Sequence, residues 1–212
     1  MYDYAPDQYM VTGEQGLRIC QQFEPEPRRV LDYACGYGRV LRWLRVGYPE
    51  AEIVAADIIE PMPLFCQRRL GADHGVTVPK DPAGLDLGTF DLIWVGSLLS
   101  HCDTDAWEAF LAFFSRSLDG TLIFTTPGPP FAEGGLRTRN DTSRLTEEQT
   151  VHVLSGYDKD GFGYWPTITD DHGDCVCTPR WVGQRVSEVG MRVVERLEAG
   201  WTGQDVYACQ RI

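Results

Sequence analysis

Between positions 30 and 126 short apolar runs alternate with stretches whose apolar residues recur every three or four positions. The runs at 30–31, 51–56, 76–78, 92–95 and 121–126 predict strands, and the stretches between them predict helices. Val40, Leu41 and Leu44 start one helix that stops near Gly47 and Pro49. Pro61 opens another, carried by Leu64 and Phe65 and ended by Gly71. Trp107, Phe110, Leu111, Phe114 and Leu118 form a helical core stripe, with Asp105 and Glu108 as a predicted capping pair and Asp119-Gly120 as a turn into the next strand. Upstream, Tyr2, Tyr4 and Tyr9 show no clear period. Thr12 and Gln15 read as a capping box for a helix through Leu17, Ile19, Cys20 and Phe23. Downstream, Thr178-Pro179 starts a helix through Trp181, Val182 and Val186, and residues 192–197 and 205–212 read as two closing strands.

This alternation predicts an α/β fold with a parallel sheet covered on both faces, right-handed crossovers and a ligand at the strands' carboxyl ends. The run at 92–95 has the continuous apolar character of a central strand. From Phe131 to Cys177 the period is lost. A core connection does not need so many residues, and long irregular insertions are disproportionately functional.

The strongest chemical signal is VLDYACGYGRV at 30–40, a strand, a glycine turn and a helix start. Glycines there let the backbone approach a ligand, and the first helical amides lack partners. A dinucleotide fingerprint needs a third small residue where Leu41 stands, and Asp32 suits an ammonium or hydroxyls better than a pyrophosphate. An NAD(P)-linked oxidoreductase is therefore disfavoured.

The stretch resembles the first motif of class I S-adenosylmethionine-dependent methyltransferases, acid-x-G-x-G-x-G, through Asp32, Gly36 and Gly38. Ala34 stands at the family's first glycine and fits there if its backbone keeps an ordinary conformation. The resemblance implies that Asp32, Ala34, Gly36 and Gly38 hold the methionine part of the cofactor. It also implies a Rossmann-like, doubly wound, mostly parallel seven-stranded sheet with an antiparallel C-terminal edge hairpin. FDLIWVGSLLSH at 90–101 is similar to the family's fourth motif, which puts Gly96, Ser97 and Leu98 beside the cofactor. The tail GWTGQDVYA at 200–208 and the 96–101 loop are also similar to bacterial methyltransferases encoded near glycosyltransferases.

Asp57 ends the second strand, where nucleotide-binding α/β folds place a carboxylate on ribose hydroxyls; helix capping before Pro61 is the competing role. Ile58 beside it would pack on the adenine. Asp81 is where the family contacts the adenine edge, although Asp81-Pro82 also reads as a turn. His101 is a candidate general base; a backbone hydrogen bond at the end of its loop is the plainer role.

At 212 residues with a 43% apolar fraction, the chain fits one α/β domain. It divides into an N-terminal helical or lid segment (1–29), a cofactor-binding core (30–127), an acceptor-side insertion (128–177) and a closing helix and strand pair (178–212). No run suits a membrane span and no signal-peptide layout is present, which predicts a cytoplasmic protein. The net charge of -12 argues against a nucleic-acid surface. The seven cysteines fit reduced thiols.

In the insertion, Tyr157, Phe162, Tyr164 and Trp165 offer flat faces that suit a sugar or aromatic ring, with Asp158 or Asp160 on hydroxyls; packing the insertion is the alternative. His172, Asp174, Cys175 and Cys177 lack the second ligand pair of a zinc site, so no metal is expected. The expected function is methyl transfer to a small-molecule or glycan acceptor, a hydroxyl oxygen. A catalytically silent methyltransferase-like binding domain is the other reading left open.

Overall fold

The computed structural model describes residues 6–139, 145–169 and 172–212. Its elements run α1 (Pro6–Phe23), β1 (Arg29–Tyr33), α2 (Leu41–Gly47), β2 (Glu52–Asp57), α3 (Pro61–Leu70), β3 (His74–Thr77) and β4 (Phe90–Val95). A 3₁₀ turn (Leu99–His101) follows, then α4 (Thr104–Ser117), β5 (Leu118–Thr126), α5 (Pro129–Phe131), a π-helical turn (Ala132–Leu136), α6 (Glu147–Asp160), β6 (Phe162–Thr169), β7 (His172–Cys177), α7 (Pro179–Glu188), β8 (Met191–Trp201) and β9 (Gln204–Arg211).

Seven strands form one sheet in the order β3-β2-β1-β4-β5-β9-β8, and β6 and β7 form a separate antiparallel pair. β1 runs parallel to both β2 and β4, β2 parallel to β3, and β8 antiparallel to β9. The fold is thus the predicted Rossmann-like α/β sheet with an antiparallel edge pair. Strands β1, β2 and β4 are buried on both faces, as their uninterrupted apolar runs require, whereas β3 lies at the edge and is largely exposed.

Contacts divide the chain into two units, one of residues 1–96 and 116–123, the other of 97–115 and 124–212. In the first unit α1 lies close on the segment that follows the glycine turn, and glycines permit the approach. A Cβ on Gly13 would stand 2.1 Å from the Arg39 carbonyl oxygen, and one on Gly16 would stand 2.9 Å from Val40. In the second unit Trp107 meets Phe124 and Trp181 edge to face.

Several sequence boundaries move. Helix α1 begins at Pro6, so Thr12 is interior and its hydroxyl bonds back to the Gln8 and Tyr9 carbonyls instead of capping. Tyr2 and Tyr4 lie outside the described residues. Asp103, not Asp105, caps α4, its carboxylate accepting from Ala106 N–H at 2.9 Å. Asp119-Gly120 is strand, not turn: glycine is needed there because a Cβ would stand 2.1 Å from the Asp91 carbonyl oxygen. The described residues of the insertion form regular elements. Thr146 and Gln149 form a reciprocal capping box that starts α6, Gly161 ends it in the left-handed conformation, and the β6–β7 hairpin follows.

Candidate active site

In the first unit the chain leaves β1 through three left-handed residues, Ala34 (φ 59°), Gly36 (φ 53°) and Gly38 (φ 72°). The ordinary backbone expected at Ala34 is not what forms. An L-residue in this region is strained by roughly 1–2 kcal/mol because Cβ crowds the following carbonyl. The strain is held by surrounding bonds: Cys35 N–H donates to Ala56 O at 3.1 Å and Gly38 N–H to Cys35 O at 2.9 Å. A Cβ on Gly38 would stand 2.3 Å from Leu70 Cδ1, so this glycine lets α3 approach. A Cβ on Gly36 would meet nothing within 4 Å, so Gly36 serves the left-handed turn and borders open space.

Asp57 fastens this turn. Its Oδ2 accepts from Gly36 N–H at 2.9 Å and its Oδ1 from Ile59 N–H at 3.0 Å. It does not cap α3, whose N-cap is Glu60 with no side-chain cap; it closes a local turn instead, and each oxygen keeps a further lone pair for a ligand hydroxyl. Ile58 next to it is 54% exposed, an uncovered apolar side chain beside the glycine turn and well suited to an adenine face. Asp81 is exposed and accepts from Ala83 N–H at 2.9 Å, which is the turn role.

Asp32 is the group that asks for a ligand. It is 2% exposed, its carboxylate accepts from Leu41 N–H, and its Oδ2 has no partner. Burial, followed by the nearby Asp57 charge, pushes its carboxyl up to about 8. An orphaned buried carboxylate oxygen is costly unless a cation or hydroxyl meets it. An amino-acid ammonium fits that need and a pyrophosphate does not, so the residues present fit S-adenosylmethionine.

The second unit begins where Gly96 ends β4. Ser97 is left-handed (φ 61°), its N–H donating to Thr125 Oγ1 at 2.9 Å and its hydroxyl to Gln204 Oε1 at 3.3 Å. Thr125 Oγ1 donates to the same Gln204 oxygen at 2.6 Å. Ser100 donates to Ser97 O at 2.6 Å and His101 N–H to Leu98 O at 3.0 Å, which closes the loop through Leu98 into the 3₁₀ turn. His101 Nδ1 lies 2.7 Å from Gly173 O and 3.4 Å from Asp174 Oδ1. Burial acts to lower its pKa, but the hydrogen bonds to Asp174 and Gly173 outweigh it and leave the imidazole above its usual value.

Most of the insertion aromatics pack. Tyr157 is buried with Ala132, Leu136, Val153 and Val176, and Trp165 packs against the same cluster. Phe162 stacks on Trp181 at 4.4 Å. Packing therefore accounts for Tyr157, Trp165 and Phe162, which the sequence offered for the acceptor. Tyr164 differs, because its hydroxyl is buried without a hydrogen-bond partner. Asp158 is engaged by Arg137, and Asp160 pairs with Lys159 at 3.8 Å. Cys175 and Cys177 are buried thiols 4.0 Å apart, and Cys175 donates to Leu99 O at 3.2 Å. No group of three or more potential metal ligands occurs among the described residues.

Sequence reasoning missed Gln204, Thr125 and Asp174 as parts of this second network. Gln204 lies in the tail and Ser97 in the loop that together carried the weaker resemblance, but no spacing rule joins them. Asp174 was weighed only as a metal ligand.

The fold and the glycine turn with its two strand-end carboxylates are consistent with a class I, Rossmann-like methyltransferase. Residues 30–120 match a family model described as a methyltransferase domain, and the solved structures that share the fold are S-adenosylmethionine-dependent methyltransferases. Curated relatives include malonyl-[acyl-carrier protein] O-methyltransferases. That of Laribacter hongkongensis (strain HLHK9) is 36% identical over 116 residues, 49% of this chain and 38% of the relative. That of Legionella pneumophila subsp. pneumophila is 29% identical over 131 residues, 56% and 44% of the two chains. The chain thus spans less than half the length of these relatives. Among solved structures, a Burkholderia thailandensis 1,6-didemethyltoxoflavin-N1-methyltransferase with bound S-adenosylhomocysteine aligns at TM-score 0.66 and 16% identity, covering 95% of this chain and 79% of that one. A magnesium protoporphyrin IX methyltransferase from Synechocystis PCC 6803, also with bound S-adenosylhomocysteine, aligns at TM-score 0.63 and 15% identity, covering 100% and 90%. The cofactor of the family is S-adenosylmethionine. No helix among the described residues is long and apolar enough to cross a membrane.

Proposed function

We propose that this chain transfers the methyl group of S-adenosylmethionine to an oxygen acceptor, a hydroxyl of a small molecule or glycan, in the cytoplasm. The observation that carries the reading is the unpartnered, buried Oδ2 of Asp32 beside the left-handed glycine turn. In it Asp32 receives the cofactor's ammonium, and the turn at Ala34, Gly36 and Gly38 borders the methionine part. Asp57 receives ribose hydroxyls and Ile58 covers the adenine. Gly96, Ser97 and Leu98 form the loop next to the methyl group, and Asp81 stays in its turn. The bound cofactor supplies a methyl group on a sulfonium, a good leaving group, so the protein's work is alignment and exclusion of water.

A second acceptor class is favoured by the relatives' printed names, in which the substrate is malonyl-[acyl-carrier protein] and the methylated group an oxygen. On that reading the acceptor is a carboxylate and the product a methyl ester. Calorimetry with S-adenosylhomocysteine and NAD tests the cofactor: binding of the first without comparable binding of the second is expected, and a preference for NAD overturns the assignment. Release of S-adenosylhomocysteine with hydroxyl acceptors against malonyl-[acyl-carrier protein] separates the two acceptor classes. Cofactor binding without turnover of any acceptor is the outcome of a silent binding domain.

A further inference from the structure

Two buried thiols meet at the glycine turn, both inside the first unit. Cys35 stands between the left-handed Ala34 and Gly36, and Cys66 lies in α3 where that helix packs on the turn. Their sulfurs are 3.9 Å apart. Neither position is slack. Cys35 N–H donates to Ala56 O at 3.1 Å, its carbonyl accepts from Gly38 N–H at 2.9 Å, and Cys66 O accepts from Ala72 N–H at 3.3 Å.

Both thiols also converge on one backbone oxygen. Cys35 Sγ donates to Gly36 O at 3.4 Å and Cys66 Sγ to the same oxygen at 3.5 Å. Gly36 is thus held on both sides, its N–H by Asp57 at 2.9 Å and its carbonyl by the two S–H groups.

We propose that Cys35 and Cys66 form a peroxide-sensitive dithiol whose oxidation to a disulfide weakens ligand binding at the glycine turn; this rests on the reading of that turn as the S-adenosylmethionine site. Access sets the order of the chemistry. Cys66 is fully buried, whereas Cys35 is 6% exposed on a turn that borders open space at Gly36, so peroxide meets Cys35 first. The hydrogen bond with Cys66, and then burial, hold the Cys35 thiol well above its ordinary pKa. Cys35 therefore rests protonated, and the pair answers to sustained peroxide, not to a passing trace.

In the first step the Cys35 sulfur attacks peroxide, the O–O bond breaks, one oxygen stays on sulfur as a sulfenic acid and the other leaves as water. The Cys66 sulfur then attacks the Cys35 sulfur, the S–O bond breaks, and the oxygen leaves as a second water with the Cys66 proton. The two thiols give up two electrons and two protons, and peroxide takes up both.

The consequences fall on the turn itself. A disulfide brings the sulfurs from 3.9 Å to about 2 Å, so the turn and α3 must shift toward each other. It also removes both S–H donors at once, which leaves the Gly36 carbonyl without either. Linkage makes the effect reciprocal. A cross-link that weakens the ligand about tenfold implies a dithiol whose reduction potential is about 30 mV higher with ligand bound than without.

The test uses the full chain, reduced with dithiothreitol and then treated with hydrogen peroxide, with and without excess S-adenosylhomocysteine. Peptide mapping without reductant reports the cross-link and separates it from Cys175 and Cys177, whose sulfurs are 4.0 Å apart. A Cys35–Cys66 peptide, lighter by two hydrogens than the reduced pair, should form, and more slowly with ligand present. Calorimetry should find S-adenosylhomocysteine affinity about tenfold or more lower in the cross-linked chain, restored by dithiothreitol. Cys175→Ser should respond like the wild type, and Cys66→Ser should show neither the cross-link nor the reversible loss. Absence of the Cys35–Cys66 peptide, wild-type affinity in the cross-linked chain, or the same reversible loss in Cys66→Ser overturns the proposal alone. Failure of the reduced wild-type chain to bind S-adenosylhomocysteine overturns the cofactor reading of the turn and the proposal with it. The wild-type arms decide even where a variant does not fold.

Discussion

Gln204, at the start of β9, accepts the hydroxyl of Ser97, at the end of β4, at 3.3 Å, and the same oxygen accepts Thr125 at 2.6 Å. Through these bonds and the one from Ser97 N–H to Thr125, three separate segments hold a serine in the left-handed conformation. Removing the shared acceptor in Gln204→Ala leaves both hydroxyls short of it. The expected cost is about 1–3 kcal/mol in urea unfolding, with Gln204→Glu, which keeps an acceptor, closer to wild type. Equal stability of Gln204→Ala and wild type would show that the loop holds itself.

Asp57 anchors two backbone amides and, on the proposed reading, also meets the ribose, so a single substitution touches both roles. Asp57→Ala leaves the Gly36 and Ile59 amides without their acceptor. Stability without ligand should drop by about 1–3 kcal/mol, and S-adenosylhomocysteine affinity should fall by a further amount of similar size. Unfolding and calorimetry on the same variant separate the two. Lost stability with unchanged affinity would leave Asp57 as a turn anchor only.

On the proposed reading, in which Asp32 receives the cofactor's ammonium, ligand binding depends on pH. The Asp32 carboxyl is raised to about 8, first by burial and then by Asp57, so the folded state holds this proton more tightly than the unfolded chain. Stability from this group is therefore greatest below the ordinary carboxylate range and falls as pH rises toward 8. A bound ammonium reverses the preference and expels the proton. Binding of S-adenosylhomocysteine at pH 7 should release close to one proton, seen as a dependence of the calorimetric heat on the buffer's ionisation enthalpy, and Asp32→Asn should abolish the release. Heats that do not depend on the buffer in the wild type would remove the ammonium from Asp32.

Ala34 is strained at φ 59°, and Ala34→Gly relieves it. The relief of roughly 1–2 kcal/mol exceeds the roughly 0.4–1 kcal/mol of extra unfolded-chain entropy that glycine brings. A net gain in the urea midpoint is expected. A loss would mean that the alanine methyl group packs more usefully than the turn suggests.

The order of elements was legible because each central strand is an unbroken apolar run and each helix carries a periodic apolar face. A strand buried on both faces cannot be written any other way. Punctuation by single residues was also legible where local chemistry decides it: Pro61 and Gly71 bound α3, and Thr178 caps α7 by accepting from Trp181 N–H at 3.3 Å. The same local rule failed at Thr12 and Asp105. Each has the right neighbours for a cap, but the helices begin elsewhere, at Pro6 and beside Asp103, which leaves both residues inside a helix.

By itself, then, the sequence determined the alternating sheet, the glycine turn and the carboxylates Asp32 and Asp57, because spacing along a strand, turn and helix start fixes which residues reach one strand end. It did not determine that Ala34 is left-handed, since φ at one position is imposed by bonds from Ala56 and Asp57 to the residues beside it. It did not determine that Tyr157 is core, since the cluster that buries it is assembled from the π-helical turn, α6 and β7. Nor did it join His101 to Asp174 or Ser97 to Gln204. Those pairs are distant in sequence and follow no period, so only the folding of β7 and β9 brings a carboxylate and an amide oxygen within hydrogen-bond reach.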